Sequence, residues 1–177
     1  MTGLQVLLLV AILVFAWHLS HQAGRLDRLH HRIDVSRAAL DGHLIRRTAT
    51  VTELAVMLDP ASAVILSDAA YEARAVNEED FDARIVAENQ LTNAIRETLS
   101  DPSDVAELKT NPLIAQQLEQ LVADSSRLEL SRRFHADAVR DCLHLRQQRL
   151  VRIFRLAGHA PMPRTMDFDD QLPASLR

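Results

Sequence analysis

The sequence predicts an all-α protein: an N-terminal transmembrane helix followed by an antiparallel up-down bundle of three long helices and one short helix. Three observations predict it. The opening run Leu4 to Leu19, LQVLLLVAILVFAWHL, carries no charged residue. The whole chain is 47 % hydrophobic but only 4 % aromatic, with four Gly, and straight-chain residues lose little rotamer freedom in a helix, whereas strands favour β-branched and aromatic ones. Lastly, Asp59-Pro60, Asp101-Pro102 and Asn111-Pro112 each place a good N-cap before a proline, which starts one helix and ends the segment before it.

The first element is short for a bilayer. A hydrocarbon core of about 30 Å takes some 20 residues at ~1.5 Å each, so sixteen apolar-dominated residues sit near the lower limit. Gln5 lies close enough to the end to reach the headgroups, and Trp17 and His18 stand where an aromatic belt belongs. A cleavable signal peptide is the rival reading, and a buried soluble helix a further one. The signal peptide wants a basic n-region and small residues before the cut, but Met1 to Gln5 has no Lys or Arg, and the best cut, after Ala23, has His21 at minus three.

Beyond the anchor the residues divide as 1–19 transmembrane segment, 20–157 helical bundle and 158–177 flexible tail. On the first helix Leu26, Leu29, Ile33, Leu40, Leu44, Val51, Leu54 and Leu58 fall on one face. A second helix is expected from about Pro60 or Ser62 to Leu99, its stripe interrupted by Glu78 and Glu88 and bending near Asn77 to Asp82. A short helix spans Ser103 to Lys109, and the last runs from Pro112 to about Leu156 with Gly158 as its cap. Ser125, Arg132 and His135 fall on or near the seam of that last helix. Equal long helices with short links give the antiparallel arrangement.

Charge alternates along the chain. Thirteen acids and four bases lie between Val51 and Pro112, flanked by two basic stretches, as expected of neighbouring helices with complementary solvated faces. Nineteen of the twenty basic residues are Arg, yet the net charge is −4, which reads as codon bias and not as a nucleic-acid signature. The lone Cys142 excludes an internal disulfide and fits a reducing compartment.

Taken in order, several stretches resemble the LemA family: the uncharged N-terminal segment, Leu40-Asp41-x-x-Leu44-x-Arg46-Arg47, Ala87-Glu88-Asn89-Gln90-Leu91, Glu107-Leu108-Lys109-Thr110-Asn111, and Arg133-Phe134-His135-Ala136-Asp137-Ala138-Val139. The resemblance implies a single-pass bacterial membrane protein with an antiparallel helical bundle of undefined biochemical role and no established catalytic residues. The chain departs from the family pattern after Arg47, in TATVTEL, and in the last helix, where LRQQRLVRIFRL reads as continuous helix.

Three constellations bear on chemistry. Cys142 has His144 two residues on and His135 seven before, but i and i+2 point to different sides of a helix, so Cys142 reads as core. Arg146, Arg149, Arg152 and Arg155 lack accompanying aromatics for base stacking and read as a solvated or partner-binding face, not a nucleic-acid site. Asp27-x-x-His30 and Asp141-x-x-His144 suggest the halves of a carboxylate-bridged di-metal site, but three full-length rods would put them ~10 Å and ~40 Å up the bundle, too far apart to share an ion. No catalytic, cofactor-binding or metal-binding residue is therefore assigned. The expected function is a non-enzymatic membrane-anchored scaffold or protein-interaction module, an integral single-pass protein that binds no nucleic acid. The alternatives are an enzyme or metal-binding bundle with a dispersed site, or an extracytoplasmic adaptor. Buried, strongly perturbed carboxylates or histidines converging in the core would favour the enzyme, and an outer apolar groove the interaction module. Arg25, Arg28, Arg32 and Arg37 lie beyond the span and no Lys or Arg precedes it, so the N-terminus is expected outside and the bundle in the cytoplasm.

Overall fold

The computed structural model describes residues 3–77, 80–158 and 160–176. Among them every regular element is helical: α1 (Gly3–Ala55), α2 (Pro60–Ala75), α3 (Phe81–Thr98), α4 (Pro102–Leu108), α5 (Pro112–Arg146), α6 (Arg149–Ile153) and a 3₁₀ turn at Ala174–Leu176. The all-α class is thus observed, with more and shorter helices than the sequence suggests.

The capping residues explain the starts. The Asp59 carboxylate accepts from the backbone N–H of Ala61 and Ser62 at 3.0 and 3.2 Å, that of Asp101 from Ser103 at 2.8 Å, and the Asn111 side-chain oxygen from Leu113 at 3.0 Å. Each satisfies donors that a helix start leaves without intrahelical partners.

The expected second helix is two helices. α2 ends at Val76, whose ψ of 135° is extended, and α3 starts on its own cap, Asp80, which accepts from Ala83 at 3.0 Å. The expected interruption at Glu78 falls outside the described residues. This break, not a bend, makes α2 and α3 a packed pair whose buried faces are largely small, with Ala70, Ala73, Ala87 and Ala94 beside Leu66, Leu91 and Ile95.

The chain forms two compact units. The first comprises the chain up to Arg37 with His135–Thr165. Its core joins Leu26 and Ile33 of α1 to Ala138, Val139, Cys142 and Leu145 of α5 and Val151 of α6. Ser36 meets His135 at 3.1 Å and Arg32 meets Asp141 at 3.1 Å, so here α1 and α5 run antiparallel. The expected height difference between Asp27 and Asp141 is therefore wrong. Asp141 lies beside α1, because the α2–α3 hairpin uses up the return run that a single rod was expected to make.

The second unit is Ala38–Phe134 with Met166–Arg177. The bond from Thr50 to Asp124 at 2.9 Å and that from Gln117 to Glu53 at 3.3 Å again set α1 antiparallel to α5. Its apolar interior includes Leu40, Leu44, Val51, Leu54, Leu118, Leu121 and Leu128, most of them on the stripe the sequence displays.

Two further expectations are corrected at the C-terminal end. The last helix breaks after Arg146, where the guanidinium donates to the carbonyls of Pro161 and Ala160 at 2.7 and 2.8 Å, and α6 begins at a Gln148 with extended ψ of 138°. Nor is the stretch after residue 158 a free tail: Met166, Phe168, Asp170 and Leu176 are buried in the second unit.

Candidate functional site

The most concentrated chemistry in the second unit is a buried charge cluster. Asp41, Leu44, Arg47 and Thr48 lie within two turns on one face of α1, and Arg84, Glu88 and Thr92 recur every fourth residue along α3. Arg47, fully buried, donates from Nη2 to Glu88 Oε2 at 2.5 Å and from Nη1 to Thr92 Oγ1 at 3.3 Å. Arg84 stands 3.8 Å from Glu88 Oε1 and 3.9 Å from Asp41. Burial pushes the Glu88 carboxyl above its ordinary range, against the opposing pull of Arg47 and Arg84.

The C-terminal segment closes over this cluster. Phe168 presents its ring to two guanidinium groups, Arg47 at 6.0 Å and Arg132 at 5.7 Å. Asp170 accepts twice from Arg132, at 2.7 and 3.2 Å. The Asp169 backbone is fixed at both ends, its N–H to Asn89 at 2.8 Å and its carbonyl to the Thr92 hydroxyl at 2.7 Å. Arg96 holds the Asp169 carboxylate at 2.8 Å, and that bond keeps the carboxyl below its usual range.

Beside Glu88 a cavity of about 220 Å³ is lined by Leu44, Thr48, Ala73, Arg74 and Arg84 among others. The cluster is self-neutralising, with two guanidiniums and two carboxylates in mutual contact. Its electrostatics are spent on holding α1, α3 and the C-terminal segment together.

Comparison with known proteins finds no family model, curated protein or solved structure that matches this chain.

Two of the sequence stretches meet in space. Asp41, Leu44 and Arg47 of the first stretch and Glu88 and Asn89 of the second supply the cluster and one anchor of the C-terminal segment. No simple signal in the sequence pairs Arg47 with Glu88, since each could equally be a solvated charge. Phe168, Asp169 and Asp170 escape sequence reasoning altogether, because an aromatic followed by two acids has no helical period.

In the first unit, Cys142 is buried in the apolar core, and burial raises its thiol against the influence of Arg146. His144 is exposed, while the buried His135 ring is hydrogen-bonded to Ser36. These three residues do not form a nucleophile with its base. Asp27 is exposed, and Asp141 is engaged by Arg32; among the described residues no group of three or more His, Cys, Asp or Glu is arranged to hold a metal ion. A cavity of about 530 Å³ is lined by Arg25, Leu29, Arg140, Asp141, His144 and Leu145 among others. Of the four arginines from 146 to 155, Arg146 is used internally on the carbonyls of residues 160 and 161, and the other three are exposed.

Proposed function

We propose that this chain is a membrane-anchored helical scaffold of the LemA kind, held at the cytoplasmic face by a single N-terminal span. The observation that carries the reading is the exposure of an apolar surface. Leu4, Leu7, Leu8, Ile12 and Leu13 are all more than half exposed, and none of the most apolar window of α1 is buried, whereas Leu26, Leu40, Leu44, Leu118 and Leu121 farther along the chain are buried. Apolar side chains on every face of a helix need a lipid or protein cover. Four arginines just beyond the span support the orientation.

A second reading, an enzyme or metal-binding bundle with a dispersed site, draws on one observation: Glu88 is a buried carboxylate of raised pKa that borders a cavity. Its oxygens are already taken by Arg47 and Arg84, and this weighs toward the scaffold.

Reporter fusions after Arg177 test the orientation. A cytoplasmic bundle gives a bright C-terminal fluorescent protein and an inactive C-terminal alkaline phosphatase; the reverse pattern places the bundle outside. Cross-linking in intact membranes then identifies what the scaffold holds.

A further inference from the structure

We propose that α6 and the turn after it form a second membrane contact, an apolar wedge crowned by Arg149, Arg152 and Arg155 that takes the phosphate head groups of anionic phospholipids. This rests on the reading of the N-terminal segment as a bilayer span, and adds to it a lipid-selective surface.

Phe154 supplies the depth. Its ring meets the Phe15 ring edge-on, with centroids 5.4 Å apart and an interplanar angle of 66°. Phe15 lies two residues inside Trp17, ~3 Å along the helix axis, so Phe154 shares the level at which the hydrocarbon gives way to the interface. The side chains around it suit that level. Ile153 is 70 % exposed and Phe154 44 %, while Val151 packs into the core. With Leu150 also exposed, α6 and the residue that ends it set one anchored residue against three exposed apolar ones, and lipid is the cover that Phe15 already implies.

The cations suit it too. Among the described residues none of Arg149, Arg152 and Arg155 has a side-chain hydrogen bond or ion pair, in contrast to Arg146, and residues 149–158, RLVRIFRLAG, contain no acid to neutralise them. Their stems are long enough to carry a guanidinium from the apolar boundary to the phosphates. The guanidinium fork matches phosphate geometry.

The turn itself adds a third observation. Leu156 N–H bonds to Val151 O at 3.0 Å and Arg155 N–H to Arg152 O at 3.3 Å, the paired bonds of a Schellman cap, and the residue in the left-handed position is Arg155, with φ of 48°. Glycine is the unstrained choice there. The turn thus sets Arg155 directly after the exposed Phe154.

The test uses the full chain reconstituted in phosphatidylcholine vesicles with and without a minority of phosphatidylglycerol. In a W17F/F154W variant the single indole is expected to be quenched by lipids brominated on their acyl chains. Spin-labelled phosphatidylglycerol is expected to be preferred over spin-labelled phosphatidylcholine about fivefold or more. Replacing Arg149, Arg152 and Arg155 together by Gln should lower that preference several-fold, and replacing them by Lys should keep most of it; a collapsed fold would lose it in both. An unquenched indole, or a preference unchanged by the Gln replacements, overturns the wedge while the chain still resists alkaline extraction, so the anchor reading stands. RNA or an acidic protein as the true partner would give that result. Release of the chain by alkali overturns both.

Discussion

At the scale of single residues, the second unit turns on Glu88 and Arg47. Removing one partner of a buried ion pair leaves the other charge out of water without compensation, which costs about 3–5 kcal/mol. Glu88→Gln is therefore expected to lose that much stability in chemical denaturation, whereas Arg47→Met combined with Glu88→Leu should lose clearly less, because the double change removes both charges. An equal loss would show that the pair is not the energetic unit described. The titrations of Glu88 and Asp169 have opposite signs. Glu88 is raised when folded, so the folded state binds its proton more readily; its contribution is fully present below the unfolded value and disappears as pH rises through the folded one. Asp169 is lowered by Arg96, so its contribution is present above the unfolded value and disappears as pH falls through the folded one. Asp169→Asn should accordingly flatten the acid limb of the stability curve, by no more than about 1 kcal/mol for so exposed a pair. An unchanged limb would remove Asp169 from the acid response.

At the scale of elements, the caps are legible in the sequence and the breaks are not. A proline after Asp or Asn announces a helix start in the sequence itself, and Asp59, Asp101 and Asn111 all cap as expected. Asn111→Ala should lose about 1 kcal/mol, measurably more than the exposed change Glu119→Ala. The stop at Val76 and the start at Asp80 carry no proline, so the pattern reads as one bent helix. The break at Gln147 is less visible still, since glutamine is a good helix former; what accompanies it is the grip of Arg146 on carbonyls fourteen and fifteen residues away, a contact no local window contains. Gly158 is the expected cap, and it does take a positive φ of 54°, but the residue that closes α6 is Arg155. Arg155→Gly should relieve left-handed strain and stabilise the chain by about 1 kcal/mol in thermal or chemical unfolding, and a destabilised variant would refute the cap assignment.

At the scale of the whole molecule, the all-α class and the exposed apolar N-terminal run can be read from composition and pattern, whereas the fixing of the C-terminal segment cannot. Its order comes from discrete anchors, Phe168 between two guanidiniums, Asp170 on Arg132 and Leu176 in the core, none of which repeats with a period. Phe168→Ala is expected to cost about 3 kcal/mol or more, as for other buried aromatics, and to increase hydrogen exchange at residues 166–176; protection equal to the parent would mean that Phe168 does not hold the segment. At the other end of the chain, the proposed function depends on Leu4 to Leu19 crossing a bilayer. Alkaline carbonate extraction of membranes carrying the full chain tests this most directly. A spanning segment keeps the protein in the membrane pellet, and Leu9→Asp with Leu13→Asp, at about 2.5–3.5 kcal/mol per charge near the centre of a span, moves it to the supernatant. Recovery of the parent chain in the supernatant would contradict the membrane anchor.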